Sequence, residues 1–407
     1  MSKENYSNMS MAQIRDQERD AFDRKVDELD GAFPPANIII AGKTGVGKST
    51  LLNAIFKEKL AETDIGHPVT TKSEKYESDS VPIRIWDTVG FELDETGSQH
   101  KKVITDIRDI IAKKNATEYP FDKIHCIWYC VNAEAKRFEL IESKFVSDLN
   151  RLGVPFVIVM TQCFSKKQND QFQSFIENKL KETGGDEIPV IQLLALDKEI
   201  EFDDEIKVVH ARGLKELVDF TVDSMPGYLK HSFIAAQKID KVCKRQACAK
   251  VINDFVKKAI DGSVKHKLPL IRILTANSDS KKMLLQLAQL YNIRILKKEH
   301  IDEICKYSTN DIKHGQFKRF WSFSSTIKKK FDNLIEEMSF NKDDFDFSDL
   351  ESTNANKCSC LLALYGFKFM DSVEKLWDES TNKELNNIDY IVSKLQEYMN
   401  GKYDKKD

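Results

Sequence analysis

The reading of this chain turns on one stretch. Ala36-Asn37-Ile38-Ile39-Ile40-Ala41 runs into Gly42-Lys43-Thr44-Gly45-Val46-Gly47-Lys48-Ser49-Thr50, and that into Leu51-Leu52-Asn53-Ala54-Ile55-Phe56. The first run is short, apolar and rich in isoleucine, which predicts a buried strand. The last reads as a helix. The segment between them satisfies G-x-x-x-x-G-K-[ST] in the strand-then-helix setting that the pattern requires. Its glycines let successive peptide N–H groups point into one concavity that takes phosphate oxygens. The helix N-terminus adds positive dipole to the same spot. Lys48 has the reach for β- and γ-phosphate oxygens, and Ser49 offers a hydroxyl to Mg²⁺. The expected cradle is therefore Lys43, Thr44, Gly45, Val46, Gly47, Lys48, Ser49 and Thr50, and the ligand these residue types fit is a nucleoside triphosphate.

A second element stands downstream. Residues 81–86 (VPIRIW) read as a strand that ends in Asp87-Thr88-Val89-Gly90, the pattern D-x-x-G. Asp87 is placed to hold Mg²⁺ through water, and the Gly90 N–H to meet the γ-phosphate. The paired Asp-Glu of many ATPases is absent. Between the two elements lies the polar stretch His67-Pro68-Val69-Thr70-Thr71. A loop of this kind can be ordered by the triphosphate, with one threonine hydroxyl completing the Mg²⁺ shell.

GKTGVGKST, then VTT, then WDTVG, in this order and spacing, resembles the Era-like GTPases of the TRAFAC class, the group related to ribosome-binding GTPases. The resemblance covers about residues 36–225. It implies a Ras-like G domain that binds GTP or GDP with Mg²⁺. In that scheme Lys48, Thr71 (or Thr70) and Gly90 serve the reaction, and Ser49, Thr71 and Asp87 hold the metal. The base would be read after the next-to-last strand, at Thr161 and Gln162.

Two positions depart from the family pattern. Where [N/T]-K-x-D is usual, this chain has Thr161-Gln162-Cys163-Phe164. The missing carboxylate is the group that would accept from guanine N1–H and its 2-amino group, and such polar pairs give a pocket large specificity ratios. Gln162 can still lay its stem along the base. The last-strand motif S-A-K is replaced by Leu194-Ala195-Leu196. The residue after D-x-x-G, where Ras-like enzymes place a water-orienting glutamine, is Phe91. Slow intrinsic hydrolysis is the expectation, with a partner, a dimer mate or a potassium ion supplying the missing stabilisation. A nucleotide-binding scaffold with little hydrolysis and an ATP-selective enzyme stay open beside it.

Outward from the motifs, apolar runs alternate with helical stretches. Strands are predicted at 124–131, 155–160 and 189–194, and helices near 103–113, 138–152, 170–183 and 214–225. That alternation signals a mainly parallel sheet with helices on both faces, an α/β class. After Pro226-Gly227 it stops. Apolar spacing at 251–260, 283–291 and 385–399 is helical. Three parts are expected: an amphipathic helix at 1–33, a G domain at 34–226 and an α-helical domain at 227–407. Part of the last, 259–293, is faintly similar to helical domains that follow Era-like G domains.

Composition bounds the rest. The 407 residues carry 62 Lys and Arg against 65 Asp and Glu, a net charge of −3, so no global field draws the chain to nucleic acid. The eight cysteines form no C-x-x-C and suit a reducing compartment. Residues 1–5 (MSKEN) show no apolar signal region, and no apolar run is long enough to span a bilayer. A cytoplasmic location is expected. The segment 313–331 is basic and aromatic, which fits a core helix with snorkelling lysines, a membrane surface or single-stranded nucleic acid. The expected partners are a guanine nucleotide, a second copy or activating protein, and a peripheral membrane contact.

Overall fold

The computed structural model describes residues 33–57, 74–78, 81–87, 98–116, 120–185, 187–202, 205–227, 229–263, 278–304, 354–381 and 383–400. The chain divides into two compact units, with the break between Asp240 and Lys241 among the described residues.

The first unit is built on a six-stranded sheet. Its strands are β1 (Ala36–Gly42), β2 (Glu74–Ser78), β3 (Val81–Asp87), β4 (Cys126–Asn132), β5 (Phe156–Thr161) and β6 (Val190–Gln192). They lie in the order β2-β3-β1-β4-β5-β6, parallel throughout except for β2. Every residue of β1 and of β5 is buried. A strand covered on both faces has no polar side to alternate with, which is why these stretches read as continuous apolar runs.

Helices cover both faces. Between the strands come α1 (Lys48–Phe56), α2 (Ser98–Asn115), α3 (Leu140–Asn150) and α4 (Lys166–Thr183), and after the last strand α5 (Leu214–Ser224) and α6 (Lys230–Ala236). Successive strand residues face opposite ways. Ile39, Tyr129 and Ile158 join one core with Ile107, Phe145 and Ile176 of α2, α3 and α4. Trp128, beside Tyr129, serves the other face. Its indole N–H donates to Thr221 Oγ1 at 3.2 Å, and its ring meets Phe233 edge-on at 6.2 Å. Phe233 also packs edge-on against Phe56, 6.3 Å between centroids. The short helix α6, which no sequence pattern announced, thus closes the face that holds α1.

Between β6 and α5 the chain inserts a two-stranded antiparallel hairpin, β7 (Lys198–Phe202) and β8 (Glu205–Val209). Backbone bonds between Leu194 and Arg212, 2.9 and 3.0 Å, close its base.

The second unit is helical among its described residues, with α7 (Lys241–Ser263), α8 (Ser278–Leu290), α9 (Asn354–Glu379) and α10 (Ile388–Asn400). Ile252, Met283, Leu287, Phe367, Val373 and Leu395 are all fully buried. A polar network runs through this core. Lys244, fully buried, donates to the Leu290 carbonyl at 2.8 Å, and Tyr291 Oη donates to Glu374 at 2.6 Å. Burial of an ammonium is tolerated only with such partners. No described helix is long and apolar enough to cross a membrane. The N-terminal stretch 1–32, the basic segment 313–331 and the acidic run 343–351 lie outside the described residues.

Candidate nucleotide site

In open α/β sheets ligands bind beyond the carboxyl ends of the strands, where the strand order reverses. Here that point is the end of β1, which lies between β3 and β4. The chain leaves β1 through Gly42 at φ +141°, and a side-chain carbon there would sit 2.5 Å from the Cys130 carbonyl oxygen. Only glycine lets the loop leave this close to β4. Gly45 and Gly47 are also left-handed, at φ +75° and +93°, and Gly47 caps α1. Thr44 and Gly45 are exposed and Ser49 is half-buried.

Lys48 is 8% exposed and curls across the loop, donating to the carbonyls of Gly42 at 3.1 Å and Lys43 at 3.3 Å. The ammonium is thereby held against the loop's own backbone. Lys43 goes the other way. Its Nζ lies 2.6 Å from Glu142 Oε2, and the Glu142 side chain is 2% exposed. Tyr129 Oη donates to the second oxygen of Glu142 at 3.0 Å.

Strand β5 is bonded to the same loop. Thr161 Oγ1 donates to the Val46 carbonyl at 2.6 Å, with the Val131 carbonyl a weaker alternative at 3.2 Å. The next residue, Gln162, is left-handed at φ +57°. Cys163 is buried, its thiol is pushed up to about 11 by burial, and its N–H donates to the Leu193 carbonyl at 3.1 Å. Arg212 donates to the Cys163 carbonyl at 2.9 Å, and the Lys198 ammonium stands 4.0 Å over the Phe164 ring. The stretch Thr161–Phe164 is therefore well bonded and held by the hairpin and its base. Asp197, exposed, accepts from the Ala211 N–H at 2.7 Å and pairs with His210; these bonds hold its carboxyl below the usual range.

Removing the Thr161 hydroxyl leaves the buried Val46 carbonyl without its partner. Thr161→Val should cost about 1–2 kcal/mol of folding stability, and Thr161→Ser should restore most of it. The midpoint of urea unfolding measures both.

The fold thus brings residues 43–50 and Thr161–Gln162 to one end of the sheet. Asp87 ends β3 in register with Ile40 of β1. Thr70, Thr71 and Gly90 lie outside the described residues, as does Phe91. Sequence reading missed Glu142, Tyr129 and Arg212. For Glu142 the signal was an acidic residue in the first turn of a helix, which is too common to single out.

Residues 37–162 match the family model described as 50S ribosome-binding GTPase. The chain is 24% identical to human Septin-9 over 211 residues, 46% of this chain and 34% of that protein. It is 33% identical over 93 residues to Translocase of chloroplast 90 of Arabidopsis thaliana, 22% of this chain and 11% of that one. The chain thus spans about a third or less of these two relatives. Among solved structures, Toc33 from Arabidopsis thaliana in complex with GDP and Mg²⁺ aligns at 16% identity and a TM-score of 0.35, covering 52% of this chain and 91% of that one. The first unit carries a parallel-sheet α/β P-loop GTPase domain, and a helical region follows it.

Proposed function

We propose that this chain is a Mg²⁺-dependent, guanine-nucleotide-binding protein of Era-like type that hydrolyses GTP slowly, its nucleotide state switching the helical region. The observation that carries the reading is the phosphate loop at the sheet's switch point, with Lys48 turned into it and Thr161 bonding it to the base-side strand.

The donor set suits Mg²⁺, which takes hard oxygen ligands. Ser49 lies in the first turn of α1, and Asp87 ends β3 beside the strand that feeds the loop. These two, with Thr71 (or Thr70), would hold the ion, which when bound neutralises charge on the phosphates. The protein's own part is positional. Loop N–H groups from Thr44 to Thr50 bind and orient phosphate oxygens. Lys48 exchanges its carbonyl partners for β- and γ-phosphate oxygens and so meets charge that develops during transfer. The Gly90 N–H would face the γ-phosphate. With Phe91 where Ras-like enzymes place glutamine, no side chain at that position orients the attacking water, and turnover is slow until a partner supplies that help.

The same Phe91, with the absent base carboxylate, favours a second reading: a nucleotide-binding scaffold with little hydrolysis. Titrating fluorescent GTP, GDP and ATP against the wild-type chain and measuring phosphate release separates the two. GTP bound more tightly than ATP, with measurable release, is the expected result. Equal affinity for ATP would overturn guanine selectivity, and binding without release would establish the scaffold.

A further inference from the structure

The phosphate loop carries two lysines with opposite orientations. Lys48 bonds to carbonyls within the loop. Lys43 turns out of it onto Glu142, 2.6 Å away. Glu142 belongs to the first turn of α3, and its remaining oxygen is taken by Tyr129 of β4. Tyr129 is fully buried, in ring contact with Phe145 and Phe156. A carboxylate this deep is costly unless it is paired and hydrogen-bonded. A strut joining α3 to β4 would be served by the tyrosine alone. A second partner is supplied here, the second residue of the phosphate-binding motif, three residues before the Val46 carbonyl that Thr161 holds.

We propose that Glu142 and Tyr129 are positioning residues for the phosphate loop, acting through Lys43. The inference rests on the reading that this loop binds nucleotide phosphates. Held at Lys43 by α3 and at Val46 by β5, the loop has its peptide N–H groups set before a ligand arrives, and binding then pays less for ordering them. The hold at Lys43 is charge-assisted, so it weakens when Glu142 is neutral.

Acid should therefore release the loop. The groups facing Glu142 are Lys43 from the loop, Tyr129 from β4 and Glu139 just ahead of α3. Burial pushes the Glu142 carboxyl up, Lys43 and Tyr129 pull it back, and Glu139 pushes it further up. A carboxyl raised in the native state binds its proton more readily than in the unfolded chain. Its contribution to stability therefore grows as pH falls through the raised value toward the ordinary one. Over that window Glu142 favours folding while its grip on Lys43 is lost. Nucleotide affinity and this group's share of stability move in opposite directions. A residue serving only the core would leave affinity unmoved.

The test is titration of fluorescent GDP against the full chain between pH 5 and 8, for wild type, Glu142→Gln, Lys43→Met and the double variant, with thermal unfolding measured alongside. At pH 7.5 each single variant should bind about 3- to 10-fold more weakly, with the double no weaker than the singles because both remove one coupling. Wild-type affinity should drop on acidification with an inflection that Glu142→Gln lacks; the nucleotide's own titration is common to both. Superimposed pH profiles, or losses that add in the double variant, overturn the proposal while nucleotide binding stands. No binding by the wild type overturns the nucleotide reading and this inference with it. Should Glu142→Gln fail to fold, Lys43→Met, whose side chain is 25% exposed, carries the comparison.

Discussion

Lys48→Ala should weaken guanine nucleoside triphosphate binding by roughly 10²- to 10³-fold, since leaving a buried charge without its partner costs at least about 3 kcal/mol, the lower end of the range for buried pairs. Lys48 is 8% exposed and already bonded to two loop carbonyls, so its ammonium is desolvated before any ligand arrives. Phosphate oxygens carry charge where those carbonyls carry only a dipole, and the exchange is favourable on that account. The variant removes the ammonium but leaves the glycines and the helix N-terminus in place. Residual weak binding should survive, and phosphate release should fall to background. Isothermal titration with a non-hydrolysable GTP analogue measures the first, and a phosphate assay the second. Hydrolysis at the wild-type rate would end the assignment of this loop as the phosphate site.

Gly42→Ala should be among the most damaging single methyl groups in the first unit, beside Gly213→Ala, where the added carbon would meet the Gln192 carbonyl oxygen. Two penalties coincide at Gly42. The backbone is at φ +141°, which side-chain-bearing residues rarely adopt, and the added carbon would lie 2.5 Å from the Cys130 carbonyl oxygen. Backbone strain of this kind costs about 1–3 kcal/mol, and forced overpacking about as much again. Neighbouring backbone cannot swing aside as a side chain can, so β1 and β4 must separate where the loop begins. A loss of about 3 kcal/mol should lower the melting temperature by roughly 6–12 °C for a unit of this size. Gly45→Ala is the matched control. It is also left-handed, at φ +75°, but nothing lies within 4 Å of the added carbon. A smaller loss there isolates the contact from the strain. Equal losses would show that the approach to Cys130 counts for little.

The sequence announced the centre of this site and was silent on its edges, for physical reasons. Residues 36–50 were legible because a doubly covered strand must be apolar and a phosphate loop must be glycine-rich. The strand predicted at 155–160, observed at Phe156–Thr161, was legible for the first of those reasons, whereas Thr161–Phe164 was placed only by the family resemblance. β2 (Glu74–Ser78) was not. It is the antiparallel edge strand, EKYES in sequence, without an apolar run to mark it. The hairpin was missed likewise. Lys198–Phe202 and Glu205–Val209 alternate charge with apolar residues, and in a two-stranded sheet that pattern has no core to point at. Helix α6 has only seven residues, too short for a periodicity to show. The two charge partners that hold the loop, Glu142 and Lys43, are 99 residues apart. No spacing rule links them, because their meeting is a product of the sheet order. The helical unit was read by its spacing at 251–260, 283–291 and 385–399; α7 covers the first, α8 the second up to Leu290, and α10 the third from Ile388, with Leu385 in a short 3₁₀ turn ahead of it.

The closed base of the hairpin has a consequence for how this domain can change over time. Leu194 and Arg212 are cross-bonded in both directions, so the 17 residues between them leave and re-enter through one doorway. Doubling such a loop costs only about 0.6 kcal/mol in closure entropy. Apart from Asp197 and Lys198, which stay tied to Ala211 and to the Phe164 ring, length and sequence beyond the doorway are therefore nearly free of the sheet's demands. The hairpin already uses that licence, with Leu196 58% exposed, Ile206 67% and Val208 47%. Selection can rewrite the outer part of this appendage while the loop at residues 42–50 behind it stays fixed.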